Sequence, residues 1–356
     1  MSSLNSRYEY SLATSNDGPD LLRLYECDES SGNISVMYTR RPNPYESLLR
    51  EGDKVIFPIM RVKETQELCG GGCCVIRKAY VNGQRRITGY LTGLKIMPKF
   101  RRRVPYIQEL YQELFALTKG EVDLFYTTIL AENVVFQRLL EKKRKNMPVY
   151  QFLHDYTVYC FLPRLPKTSL DLALEQGVSR EVIEFYEQRL PHLNLSPYSL
   201  IESSSYPRLD SSNIYSLKDA AGRVVAACGL VDQKHYKQYI VTKYSGALNL
   251  LSHLPLTWIG YPNLPKVGQV INYASIAMLC VDNDDRDLAC SLMSKVFAQH
   301  NNYDFFMLGL VGNHPLNQLF ETLKHIKYPS KLYTVHNDPS HLHLDERLIH
   351  LEVSLL

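Results

Sequence analysis

The chain has 356 residues, 45% hydrophobic and 22% charged, with a net charge of +3. That is apolar material for sizeable cores and length for two domains rather than one, and it excludes wholesale disorder. The opening residues, MSSLNSRYEYSLATSNDG, carry no apolar core of signal-peptide length. No later stretch approaches the roughly 18 uninterrupted apolar residues of a membrane span, so a cytoplasmic protein with no membrane partner is expected. Residues 1–165 hold 24 Lys and Arg against 18 Asp and Glu, whereas residues 166–356 hold 16 against 19. The first half should therefore attract polyanions better than the second, although ordinary surface variation gives differences of this size too.

In chain order, GPDLLRLYEC (18–27) reads as a short helix with Pro19 in its first turn. A long connection, MYTRRPNPYESL (37–48), follows it. Extended segments come next at KVIFPIMRV (54–62) and CCVIRKAYV (73–81), the second entering an Asn82-Gly83 turn and returning through RITGYLTGLKIM (86–97). The preceding CGGGCC holds three of the eight cysteines, Cys69, Cys73 and Cys74. Without paired CxxC spacing it reads as a flexible Gly-rich turn with reduced thiols rather than a metal site, and no metal is expected. A helix over 105–118, a strand over 123–130, a helix over 132–145 and extended segments over 148–162 complete the first half.

Residues 166–212 form a connector with a helix capped by Ser179 and an irregular Ser/Pro-rich stretch. Residues 213–356 then repeat the element order without repeating the residues. Strands at 213–219 and 223–232 flank a turn at 220–222, a long strand covers 270–281, and helices cover 286–300 and 314–325 around a strand at 303–311. Further strands are expected near 331–336 and 348–355.

Meander, long strand, helix, strand, helix, strands is an order that resembles the GNAT N-acetyltransferase superfamily. That family's acyl-CoA motif joins a strand ending apolar-x-apolar-x-Pro to a helix through Arg/Gln-x-x-Gly-x-Gly/Ala. Leu94, Ile96 and Pro98 match the strand part, and Arg101 takes the motif's first position with Arg102 and Arg103 beside it. Val104 and Tyr106 stand where the glycine and the small residue belong. In the family, helix-start N–H groups hold the CoA pyrophosphate; here Pro105 lacks an N–H and Val104 crowds the loop. The arginines are expected to compensate through charge-assisted phosphate contacts. A solvated basic loop, or one held by acidic groups, is the alternative. In the second half Asp284 and Asp287 occupy the corresponding positions, with Asp282 and Asp285 nearby, a set of carboxylates that repels a pyrophosphate.

The resemblance implies an α/β (α+β) fold of two tandem GNAT-like domains, 1–165 and 213–356, each a mixed, mostly antiparallel sheet flanked by helices. It implies acetyl-CoA or another acyl-CoA as co-substrate, and a small-molecule or peptide amine as acceptor. Many GNAT enzymes place an Asn early in their last helix and a Tyr about seven residues on. Asn133 matches and Leu140 replaces the Tyr; in the second half Asn313 matches and Phe320 replaces it. No general acid carries over, so the catalytic residues stay unassigned, with Tyr90, Tyr126, Thr127 and Glu132 as candidates near a cleft. Tyr38, with Arg40, Arg41 and Tyr45, is placed to shape an acceptor pocket, and Tyr38, Tyr90 and Tyr126 are the expected substrate contacts. DQKHYKQY (232–239) offers a second polar cluster. A non-catalytic ligand- or protein-binding module is the rival reading. Nucleic-acid binding through RRR and EKKRK comes last, because no aromatic residues interleave with those runs.

Overall fold

Asn82 and Gly83 both take positive φ, 54° and 74°, and turn the chain back into a long antiparallel hairpin. This is the two-residue turn that matches strand twist. The computed structural model describes residues 7–28, 34–101, 106–142, 147–162, 165–166, 168, 170, 172–198, 209–259, 263–337 and 341–356. Its first half runs β1 (Tyr8–Leu12), α1 (Gly18–Glu26), β2 (Ile34–Thr39), α2 (Pro44–Leu49), β3 (Lys54–Ile56), β4 (Pro58–Val62), β5 (Leu68–Val81), β6 (Gln84–Ile96), α3 (Tyr106–Leu117), β7 (Leu124–Leu130), α4 (Val134–Glu141) and β8 (Val149–Phe161). The second half runs β9 (Ala173–Gln176), α5 (Arg180–Arg189), β10 (Ile214–Lys218), β11 (Val224–Val231), β12 (Gln238–Tyr244), α6 (Ala247–Leu251), β13 (Tyr273–Val281), α7 (Arg286–Gln299), β14 (Phe305–Val311), α8 (Asn317–Thr322) and β15 (His325–His336).

One sheet of 13 strands carries both halves, in the order β1-β4-β5-β6-β7-β15-β8-β14-β13-β11-β10-β9, with β3 also on β5. Its ladders are antiparallel except β6 with β7 and β13 with β14. The mixed, mostly antiparallel α/β class is as expected. Strand pairing also crosses between the halves. β8 closes the first half yet pairs with β14 and β15, and β15 closes the second yet pairs with β7 and β8. Each half thus lends its last strand to the other, a crossing that linear boundaries at 165 and 213 do not express.

Side chains alternate across β5. Cys73 and Val75 pack with Leu21, Leu24 and Tyr25 of α1 on one face. Cys74 and Ile76 pack with Tyr111 and Leu114 of α3 and Leu140 of α4 on the other. The second half repeats this sandwich, with Val182, Phe185 and Tyr186 of α5 on one face and Leu292, Met293 and Phe297 of α7 on the other.

Three local expectations change. CGGGCC lies inside β5 rather than in a turn, because the neighbouring chain comes too close for side chains: a Cβ on Gly70 would sit 2.6 Å from the Lys95 carbonyl oxygen. All three of its thiols are free and buried. The connection 37–48 contains β2, paired with β12, and α2, capped by Asn43. Residues 348–355 form no strand, since their backbone is taken up singly, as where Asn194 N–H donates to Leu348 O (2.8 Å) and His350 N–H to Asn194 O (2.8 Å).

A buried ion network ties the halves together. Glu51 accepts from Arg40 at 2.8 Å and lies 3.1 Å from Lys237, and all three side chains are inaccessible to solvent. Arg77 donates to Glu51 O (2.6 Å), and Lys237 reaches the carbonyls of Ser354 (3.2 Å) and Leu356. Removing one partner strands buried charge. Glu51→Gln is therefore expected to cost about 3–5 kcal/mol, read as a lower denaturant midpoint. Burial, against the pull of Glu51, pushes Lys237 down to about 8. Unfolded lysine titrates near ~10.4, so the folded state binds fewer protons between those values. Its contribution to stability should rise with pH through that window in the wild type and stay flat in Lys237→Met.

Candidate functional site

Only three rungs join β6 to β7: Thr88 with Leu124, Gly89 with Phe125, and Tyr90 with Tyr126. Beyond them the strands separate, and a cleft of about 330 Å³ opens in the fork. Thr127 Oγ1 donates to Leu91 O at 2.8 Å and bridges the fork at its base. Leu110, Tyr111, Leu114, Phe136 and Leu140 line the cleft on the face of α3 and α4, and Tyr25, Tyr38 and Cys73 line it on the face of α1. Opposite Gly71 and Cys73, β6 carries one extra residue, a bulge in which Gly93 takes φ 64°. Such bulges break the ladder and re-aim backbone groups beside a site.

A larger hollow, about 470 Å³, lies near the start of β7 among Arg86, Asp123, His336, His341 and His343. It is no fork: Phe125 is still paired to both β6 and β15 there. Among the described residues, no group of three or more His, Cys, Asp or Glu is arranged to hold a metal ion.

The expected residues divide. Leu94, Asn133 and Tyr38 line the cleft. Asn133 caps α4, its Oδ1 accepting from Phe136 N–H at 3.2 Å. Tyr38 lies between Tyr25 and Tyr239, with ring centroids at 6.0 and 5.3 Å. Tyr90 and Tyr126 form the last rung below the fork. Both are buried, Tyr90 bonded to Thr128 Oγ1 (2.9 Å) and Tyr126 accepting from Arg77 (3.1 Å). Ile96 is further along β6, outside the lining, and Glu132 is exposed. Arg101 is half-exposed and paired with Asp28. Arg102, Arg103 and Val104 lie outside the described residues, and of Tyr106 only the backbone, at the start of α3, is described. Tyr25 and Gly93 were missed. A tyrosine on the apolar side of a helix reads as core, but a glycine inside a strand is a signal for a bulge.

The second half builds the same fork and fills it. β13 and β14 pair over three rungs, Tyr273 with Phe305 to Ser275 with Met307. β13 also carries one extra residue, opposite Ala227 and Gly229, with Met278 at φ 51°. Here the bulge is occupied: Glu352 Oε1 accepts from Met278 N–H at 2.7 Å, and the buried segment Val353–Leu355 packs against both strands. At the start of α7, Asp285 accepts from the N–H groups of Asp287 (2.8 Å) and Leu288 (2.9 Å), donors a phosphate would need. Asp282 pairs with Arg189.

No protein-family model matches the chain, and no curated protein matches it in sequence. Solved structures do match. Saccharomyces cerevisiae N-myristoyltransferase with bound myristoyl-CoA is 12% identical, with a TM-score of 0.57 over 98% of this chain and 88% of that one. A GCN5-related N-acetyltransferase from Sphaerobacter thermophilus is 15% identical, with a TM-score of 0.56 over 96% and 99%. A GCN5-related glucosamine N-acetyltransferase region of a fungal multi-domain β-N-acetylglucosaminidase is 12% identical, with a TM-score of 0.62 over 93% and 38%. At such identities the likeness establishes the fold: the chain has the GNAT fold. Among the described residues no helix is long and apolar enough to cross a membrane.

Glu352→Ala should leave the buried Met278 N–H unsatisfied and cost about 1–3 kcal/mol in equilibrium unfolding, whereas Glu352→Gln, which keeps an acceptor oxygen, should cost less.

Proposed function

We propose that the chain is an acyl-CoA-dependent N-acyltransferase that binds its thioester in the fork between β6 and β7. The observation carrying this reading is the contrast between two like forks in one sheet: one is open beside a backbone bulge, the other is filled by residues 352–355. The second half is then a structural unit of GNAT-like build that also positions β15 and the ion network. The GNAT fold, shared with N-acetyltransferases and with an N-myristoyltransferase holding myristoyl-CoA, supports the choice of co-substrate.

In this reading an extended pantetheine arm enters between the separated strands against Leu94, and the charges of Arg101, Arg102 and Arg103 bind the CoA phosphates. Leu91, Leu110, Leu114 and Leu140 exclude water from the arm. The amine, on a small molecule or a peptide, approaches from the face of Tyr38. Its nitrogen attacks the thioester carbonyl carbon, the C–N bond forms, the C–S bond breaks, and the electron pair leaves on the CoA sulfur. Leu140, at the position of the family's tyrosine, has no proton to give that sulfur.

Calorimetric titration with acetyl-CoA and, separately, myristoyl-CoA tests the reading. Saturable binding of either is expected, and the preferred thioester reports the acyl chain. No binding of either overturns the reading in favour of a non-catalytic module. Asp28 competes with phosphate for Arg101, so Asp28→Asn should tighten binding. Arg101→Ala should weaken it about tenfold, the loss of one charge-assisted contact.

A further inference from the structure

The two halves hold a matched pair of tyrosines, each at the bulge of its own fork. Tyr186, on α5, donates from its hydroxyl to the carbonyl oxygen of Met278 at 2.9 Å. Tyr25, on α1, points its hydroxyl at Gly93, where a Cβ would lie 2.5 Å from the Tyr25 oxygen. Both are 1% exposed. Their hydrogen bonding differs: among the described residues the Tyr25 hydroxyl has no partner. A buried hydroxyl without a partner costs free energy, and retaining one is explained by a partner that arrives with a ligand. Tyr25 borders the cleft, together with Gly93, Thr92 and Cys73. Glycine at 93 is what allows the hydroxyl to come this close to the strand.

We propose that the Tyr25 hydroxyl is the hydrogen-bond donor to the thioester carbonyl oxygen, and to the oxyanion that oxygen becomes. The inference rests on the acyl-CoA reading of this fork. As the amine nitrogen bonds to the carbonyl carbon, the C=O π pair moves onto oxygen, where Tyr25 O–H stabilises it. The pair returns as the C–S bond breaks, and the CoA thiolate leaves. The proton lost by the amine reaches the thiolate through solvent, and Tyr25 keeps its own. Burial, and the neighbouring Cys73, push the Tyr25 hydroxyl well above the ordinary tyrosine range, which holds it protonated as a donor and makes it a poor proton carrier. Lys95 braces the helix end from the other side of the bulge, its Nζ donating to Tyr25 O at 2.5 Å.

The test compares Tyr25→Phe and Tyr186→Phe in the full chain, with acetyl-CoA as the thioester and hydroxylamine as a surrogate amine, reading free thiol released. Tyr25→Phe should raise, and in no case lower, the thermal midpoint of the ligand-free protein, since it removes an unpartnered buried hydroxyl, and lower kcat about 100-fold or more with a smaller effect on KM, as removal of an oxyanion donor does. Tyr186→Phe should show the reverse, a lower midpoint and an unchanged kcat. Equal kcat in Tyr25→Phe and wild type would overturn the proposal while leaving the acyl-CoA reading intact. Failure of the wild type to bind or turn over acetyl-CoA would overturn both. A fall in both kcat and thermal midpoint in Tyr25→Phe would assign the residue to packing and also overturn it.

Discussion

Everything in this molecule depends on the exchange of last strands. β6 and β7 separate after three rungs, so beyond them each depends on the partner along its outer edge to stay in the sheet. β15 covers β7 and β8 covers β14, so each fork has one wall stabilised by the other half of the chain. The long antiparallel ladder between β8 and β15 makes the sheet continuous through the molecule's middle. Neither half completes its sheet without the other.

The asymmetry between the forks comes from the end of the described chain. Residues 351–355 cross the second fork, held by Tyr156, which donates to Leu351 O at 3.0 Å, by the bond between Glu352 and Met278, and by Gln233, which donates to Ser354 O at 2.7 Å. The network of Arg40, Glu51, Lys237 and Arg77 gathers the same segment from both halves: Arg77 of the first donates to Leu355 O and Lys237 of the second to Ser354 O. Sealing one fork and holding the halves together are thus the work of one segment, and it leaves the cleft of the first half open.

Much of this was legible in the sequence. Asn82-Gly83 announced the hairpin, because few residues besides these tolerate two successive positive φ angles, and the helix expected over 105–118 is α3, Tyr106–Leu117. Ser179 and Asp285 cap helices as their types suggest. CGGGCC misled because composition alone cannot tell a flexible turn from a strand whose neighbours crowd out side chains. Residues 348–355 misled because alternating apolar residues suit an extended segment whether or not a strand lies beside it. The strand exchange could not be read at all, since β8 and β15 carry the pattern of a sheet strand with nothing local to name the partner. Tyr25 was hidden for the same reason: its helix explains its burial, and only its geometry with Gly93 reveals the unpartnered hydroxyl.

The central claim is that this sheet holds one working fork and one sealed one. A crystal structure of the protein grown with a non-hydrolysable acetyl-CoA analogue tests it most directly. The account predicts one molecule per chain, its pantetheine arm between β6 and β7 with the carbonyl oxygen at the Gly93 bulge, and residues 352–355 unmoved between β13 and β14. Density for the analogue in the second fork, with Glu352 displaced from Met278, would contradict it.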